Sequence, residues 1–230
     1  MEFTRSPNKT ISWWVGNWAN RGYDVYAYFA TFSGGNGKGT GDFEVDYQDT
    51  SNDFWQITGA LHPVAILSFG QGDGPWELEY NARNKSSWQN DYESPYDPTP
   101  APPDDSVPAG TVRNSTLPVQ AIADAVNSAG IGVNAWVDWD GNPGGFLCEY
   151  MAYHDAWYQD LHSDPSDPYW CVAAGFTHVS GSLTVAEARD ALGISLRETI
   201  GYVDSATPEP ATMALMGLGG AAMLLRRRRK

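Results

Sequence analysis

A cysteine, a histidine and a pair of glutamates are the residues of this chain whose types and placement could do covalent chemistry. Cys148 stands directly behind the Gly-rich run Asp140-Gly141-Asn142-Pro143-Gly144-Gly145, in the first turn of a predicted helix. A thiol held there gains thiolate character from the helix dipole and is exposed at the edge of a sheet. His178 ends the next predicted strand. A thiolate needs such a base to draw off its proton, and the base needs an acceptor to orient its ring. Glu77 and Glu79 follow the loop Gly70-Gln71-Gly72-Asp73-Gly74 and could supply that acceptor. Residue types alone leave a plainer alternative open, because buried cysteines are usually inert and a strand-end histidine is commonly a hydrogen-bonded core residue.

The elements that must position these side chains read as follows. Residues 10–20 (TISWWVGNWAN) predict a short aromatic helix and 23–31 a strand, followed by a Gly-rich turn and an acidic stretch. The continuous apolar run 63–69 predicts a strand buried on both faces of a parallel sheet. The glycines behind it predict a loop whose backbone approaches a ligand closely. Residues 91–110 are rich in Pro and Asp and read as an exposed loop within the domain. A helix follows over about 117–129, with Pro118 at its first position and Gly130 at its end. A strand at about 131–139, a helix from near Phe146 through Leu161 and a strand at about 170–179 come next. The last helix, about 185–203, opens with a capping box at Thr184 and Glu187. This alternation predicts a three-layer α/β/α sandwich around a mostly parallel sheet. Successive strand ends of such a sheet share an edge, which is where Cys148 and His178 are expected to meet.

Length and charge narrow the function. The 230 residues suit one domain with a short appendage, and 10 Trp, 12 Tyr and 8 Phe exclude a disordered chain. The formal charge is −14, but Arg226–Lys230 contribute five positive charges, so residues 1–225 carry −19. A body that acidic repels phosphate backbones, and nucleic acid is excluded as its partner. Two cysteines are too few for a disulfide framework, and Cys171, between Trp170 and Val172, reads as a core residue. His154 and His162, with Asp155, Asp160 and Asp164 nearby, read as a solvated acidic face rather than a metal site. His62 reads as a strand-edge residue. The aromatic excess falls mainly on predicted core faces, which favours packing over sugar stacking.

The chain ends in Thr207-Pro208-Glu209-Pro210, an apolar run Ala211–Leu225, and Arg226–Lys230. The run is shorter than the roughly 20 residues that cross a bilayer, and the basic block behind it is a stop-transfer pattern. This tail, residues 206–230, resembles the PEP-CTERM sorting signal of Gram-negative and related bacteria. The resemblance implies export across the inner membrane and transient anchoring by residues 211–225. Removal of the tail by an exosortase-type enzyme, then release to the cell surface or extracellular matrix, would follow. The segment Met1–Ser6 is followed by no apolar signal-peptide core.

In the body, residues 1–205, the string Pro143-Gly144-Gly145-Phe146-Leu147-Cys148-Glu149, with Tyr153 five after the cysteine, is similar to an Ala-Gly-x-Phe/Tyr-x-Cys-Asn motif with a later Tyr. That motif belongs to the pyroglutamyl-peptidase type I (pyrrolidone-carboxylate peptidase) family, which the body resembles. Ser115-Thr116-Leu117-Pro118 resembles its Ser-Thr-Leu-Pro helix start, and Gly175-Phe176-Thr177-His178-Val179 its Gly-Phe-x-His segment. Glu79, with Ala82 and Asn84 at the family's offsets, resembles its glutamate and is favoured over Glu77. Gly70-Gln71 resembles the family's Gly-Gln.

What this resemblance implies is an enzyme that removes N-terminal pyroglutamate from peptides. Cys148 would be the nucleophile, His178 the base and later acid, Glu79 the group that fixes the imidazole, and Gln71 a neighbour of the lactam ring. No metal or cofactor is implied. Relatives often form tetramers, contacts that the acidic insertions here could block. The departures are as informative. Glu149 replaces the family's Asn and should raise the thiol pKa by its charge. The family's opening strand and Gly-Phe-x-x-Phe-Gly loop have no counterpart, and Arg5-Ser6-Pro7-Asn8 resembles only that loop's tail. The expectation is therefore a sheet lacking its first strand, with coding sequence upstream of Met1 for a signal peptide and that strand. The alternative is a non-catalytic or altered-substrate descendant of the fold, acting as a surface or matrix binding protein.

Overall fold

The computed structural model describes residues 13–33 and 37–207. Residues 10–12 of the expected aromatic helix, the Arg5–Asn8 segment and the apolar tail lie outside them. Within the described part of that helix the chain instead forms strand β1 (Trp13–Val15) and a single 3-10 turn at Trp18–Asn20. Strand β1 pairs antiparallel with β2 (Val25–Ala27). The expected strand over 23–31 is thus broken in two, its second part being β3 (Ala30–Thr31), paired with β4 (Thr40–Gly41).

The acidic stretch that follows is a helix, α1 (Tyr47–Leu61), which the sequence reading did not find. Its residues are weak helix formers, and packing overrides that propensity. Asp46 caps it, accepting from Gln48 N (2.8 Å) and Asp49 N (3.0 Å). His62 ends it in the left-handed conformation with φ 48°, stacked on Tyr169, rather than lying on a strand edge. The chain continues through β5 (Ala65–Gly72), β6 (Trp76–Glu79), β7 (Asn81–Arg83) and β8 (Val112–Asn114). Then come α2 (Val119–Ser128), β9 (Ala135–Asp138), α3 (Leu147–Leu161), β10 (Ala173–Ser180) and α4 (Val185–Ala206). Pro118 caps α2 instead of occupying its first turn. The capping box at Thr184 and Glu187 is present at the start of α4.

The central sheet has the order β5-β10-β6-β9, and its fold is a three-layer α/β/α sandwich. Two of its three pairings are parallel, β5 with β10 and β6 with β9; the middle one, β10 with β6, is antiparallel. Strand β5 lies at an edge of this sheet and is only half-buried, not enclosed on both faces as its apolar run suggested.

Alternation along the strands sorts side chains between two layers. Trp76, Leu78, Ala135 and Ala173 pack against Ile122 and Val126 of α2 and Ala191 and Ile194 of α4. Burying each large apolar side chain of this kind stabilises the fold by about 1.5–3 kcal/mol. The opposite face carries Ala174 and Phe176 under α3 and α1, with Phe54, Ala152, Tyr153 and Tyr158 in its two clusters. In the last turn of α4, Asp204 accepts from Arg21 Nη2 (2.7 Å) and Tyr23 Oη (2.9 Å), clasping the first hairpin to the end of the last helix.

The Pro/Asp-rich segment is largely exposed but is pinned by two buried carboxylates, Asp91, which accepts from Tyr47 N at 2.8 Å, and Asp104. Asp104 Oδ2 accepts from Arg113 Nη2 and from Tyr153 Oη, both at 3.0 Å. Burial opposes charge on Asp104, but hydrogen bonds from Ser106, Arg113 and Tyr153 hold its carboxyl below the usual range. Removing a buried partner strands the other charge. Asp104→Ala is expected to destabilise the protein by about 3 kcal/mol, read as a lower urea midpoint. An unchanged midpoint would show that the loop is not held this way.

Candidate active site

Strand β10 sets the site. Its residues Phe176 and His178 point to the α3 face, and β6 runs beside it so that Glu77 stands opposite His178 and Glu79 opposite Phe176. His178 Nδ1 donates to Glu79 Oε1 at 2.6 Å, diagonally across the two strands. Glu79 is only 3 % exposed and His178 is mostly covered. Phe176 meets the imidazole edge-on, ring centroids 5.1 Å apart, which leaves the ring little freedom to turn.

Cys148 comes from the other side, in the first turn of α3 behind Phe146, whose side chain makes no capping bond. Its thiol is brought beside His178, and their interaction favours the protonated imidazole. With Nδ1 engaged by Glu79, Nε2 is the nitrogen left for the sulfur. Two glycines of β5 clear the space. A Cβ on Gly70 would lie 2.8 Å from Cys148 Sγ and 2.6 Å from Phe176 Cζ, and one on Gly72 would lie 2.6 Å from His178 Cβ. These glycines belong to a strand and make room for the protein's own side chains, where the sequence reading had them opening a loop to a ligand.

The electrostatics follow from this stacking. Burial disfavours a charged imidazole, but the hydrogen bonds to Cys148 and Glu79 and their negative charges outweigh it, raising His178 to about 10. A base so placed can take the proton of a thiol held in the first turn of a helix.

The other predicted residues fall as follows. Gln71 alternates with Gly70 and Gly72, so its side chain lies on the opposite face of β5, exposed, with Nε2 beside Gly181. It is not brought to the thiol. Glu149 is fully buried and turned into the layer between α3 and β7. It accepts from the backbone N–H of Arg83, and Oε2 lies 3.7 Å from Lys85 Nζ. Burial raises its carboxyl to about 7 against the pull of these partners. Cys171 is a buried free thiol, pushed by burial to about 12, and does not bridge to Cys148. His154 is buried, not on a solvated face; it bonds Tyr150 O at 2.8 Å and burial lowers it to about 4. His162 pairs with Asp167 at 2.8 Å.

Sequence reasoning missed the strand that carries the acceptor. Trp76-Glu77-Leu78-Glu79 alternates apolar and acidic residues with period two, the signature of a strand with one polar face. That pattern was available, and it places both carboxylates on the face of His178.

Two outcomes are expected. Gly70→Ala over-packs the joint between β5 and α3 and should destabilise by about 1–3 kcal/mol, with slower alkylation of Cys148 at a fixed pH. An alkylation rate equal to wild type would show that the clearance is irrelevant. For Glu149 the folded pKa lies above the unfolded one, so folding favours its protonated form and stability falls as pH rises from about 4.5 to about 7. Glu149→Gln keeps an acceptor for Arg83 and should be more stable than wild type above pH 7 by about 2–3 kcal/mol. The difference should vanish below pH 4.5 in urea titrations; a gap that persists there would refute the assignment.

Comparison with known proteins agrees with this fold. Solved structures superpose on most of the chain. Pyrrolidone carboxyl peptidase from Thermococcus litoralis has a TM-score of 0.57 at 16% identity, covering 72% of this chain and 78% of that one. Pyrrolidone carboxyl peptidase from Pyrococcus furiosus gives 0.55 at 14%, covering 69% and 79%. Pyroglutamyl peptidase I from Bacillus amyloliquefaciens gives 0.50 at 17%, covering 68% and 75%. Among curated protein sequences none matches the chain. The PEP-CTERM protein-sorting motif matches residues 206–230. No helix among the described residues is long and apolar enough to cross a membrane. The chain thus has the α/β fold of the pyroglutamyl peptidases and carries a C-terminal PEP-CTERM sorting motif.

Proposed function

We propose that residues 1–205 form an exported cysteine peptidase that removes N-terminal pyroglutamate from peptides. The observation that carries this reading is the gathering of Cys148, His178 and Glu79 at one place, with His178 hydrogen-bonded to Glu79. In the mechanism it supports, the Cys148 thiolate attacks the carbonyl carbon of the pyroglutamyl amide. N–H groups of the first turn of α3 stabilise the oxyanion. The His178 imidazolium then protonates the leaving amine, and the pyroglutamyl group remains on sulfur as a thioester. Neutral His178 next takes a proton from water, which attacks the thioester and frees pyroglutamate and the thiol. Glu79 holds the ring by Nδ1 throughout. The sorting motif supports a partner of exosortase type, transient anchoring by residues 211–225 and final placement at the cell surface or matrix. Assembly into a homo-oligomer would match this reading.

A second reading is favoured by Gln71 lying on the far face of β5 and by Glu77 standing at the site: a member of the fold that has kept the thiol chemistry for another substrate. The full chain, reduced and assayed with a fluorogenic pyroglutamyl amide, separates the two. Hydrolysis is expected, and Cys148→Ser should lose at least about 1,000-fold in kcat/KM. No turnover by a folded chain whose Cys148 still alkylates rapidly would move the assignment to the altered-substrate reading.

The pH profile tests the roles. Protonation of the leaving amine needs the imidazolium, so activity should fall as pH rises through about 10. Glu79→Gln removes a charge that favours the protonated ring, which lowers its pKa. The alkaline limb should move to lower pH by about one unit or more. A limb that stays in place would remove Glu79 from its proposed role.

A further inference from the structure

Glu77 has no part in the chemistry above, yet it lies directly opposite His178 in the sheet. One ligand atom from each of Glu77, Glu79 and His178 lies within 4.8 Å of the others. Glu79 uses only one of its two oxygens: Oε1 accepts from His178, and Oε2 is buried without a hydrogen-bond partner. An orphaned carboxylate oxygen in a residue 3 % exposed is costly unless something occupies it. The two carboxylates also share one wall of the site.

Access to this cluster is open. Glu77 is partly exposed, and the neighbouring position is Gly74, where a Cβ would come 3.1 Å from Glu77 Oε2 and 3.1 Å from the indole nitrogen of Trp136. Two carboxylates and one imidazole make an O,O,N donor set, suited to a borderline divalent cation and completed by water.

We propose that Glu77, Glu79 and His178 form a binding site for one divalent transition cation of the zinc class. The cation takes the place of the Nδ1 proton that His178 shares with Glu79, releasing that proton to solvent, and a ring held in this way no longer serves the thiol as base and acid. The cation is a reversible brake and not a cofactor. The inhibition rests on the peptidase reading; the binding does not.

The test is calorimetric titration of the metal-free full chain with Zn2+ alone. One ion per chain is expected for wild type and for Cys148→Ser, and Glu77→Gln should bind at least about 10-fold more weakly. The Gln is isosteric, and an unchanged circular-dichroism spectrum would verify its fold. Equal affinity in Glu77→Gln would overturn the site, as would loss of the ion in Cys148→Ser, which would move it to the thiol. In the pyroglutamyl amide assay Zn2+ should inhibit wild type, with Glu77→Gln needing at least about 10-fold more. Binding as described without any hydrolysis would keep the site and discard the peptidase reading.

Discussion

The reversal of β6 against β10 is the constraint on which the site depends. An antiparallel neighbour in this register sets Glu79 opposite Phe176 and Glu77 opposite His178, and one hydrogen bond across the diagonal locks the imidazole. A parallel strand at the same place would enter from the other end of the sheet. The two carboxylates face the histidine only because Trp76 and Leu78, alternating with them, are drawn to the α2–α4 core. A one-residue slip would exchange the two sets. Hydrophobic burial on one face therefore fixes the electrostatics of the other.

The layer that holds α3 is polar to an unusual degree. Glu149, Asp155 and His154 are all fully or almost fully buried along this one helix. Each has some partner: the Arg83 N–H and Lys85 for Glu149, Ser68 Oγ for Asp155 at 2.9 Å, Ser51 and Tyr150 for His154. Burial drives all three toward their neutral forms, the carboxyls upward and the imidazole downward. The helix that presents Cys148 is thereby seated by hydrogen bonds that fix its rotation and depth more sharply than apolar packing alone would. Where the motif that the sequence resembles has Asn, this chain has a carboxyl raised by burial to about 7 that accepts from the Arg83 N–H.

Much of this was legible in the residues. The helix behind Gly144-Gly145, the strand ending near His178 and the capping box of α4 are local patterns of spacing and turn chemistry, and each lies close to its predicted bounds. The meeting of Cys148, His178 and Glu79 was also readable, although by a different route. The reading supposed a shared edge of successive parallel strands, whereas β9 runs against β10 and the helix crosses back over the sheet. Helix α1 was hidden because Asp, Asn, Ser and Thr argue locally for turns, and its stability comes from Phe54 and Ile57 packed in the fold. The face on which Gln71 lies was fixed by the register of an edge strand, which no local pattern reports.

The clasp between Asp204 and the pair Arg21 and Tyr23 has a mechanical consequence. Residue 206 ends α4 and begins the sorting segment, so any pull on that segment reaches the fold through the end of the last helix. The first bonds under load are the exposed contacts at Asp204, which are weak. Behind them lies the seam of α4 against α2, and the strands that bear His178 and Glu79 are reached last. The end of the helix acts as a fuse: a tethered chain can fray there under tension while the dyad stays assembled.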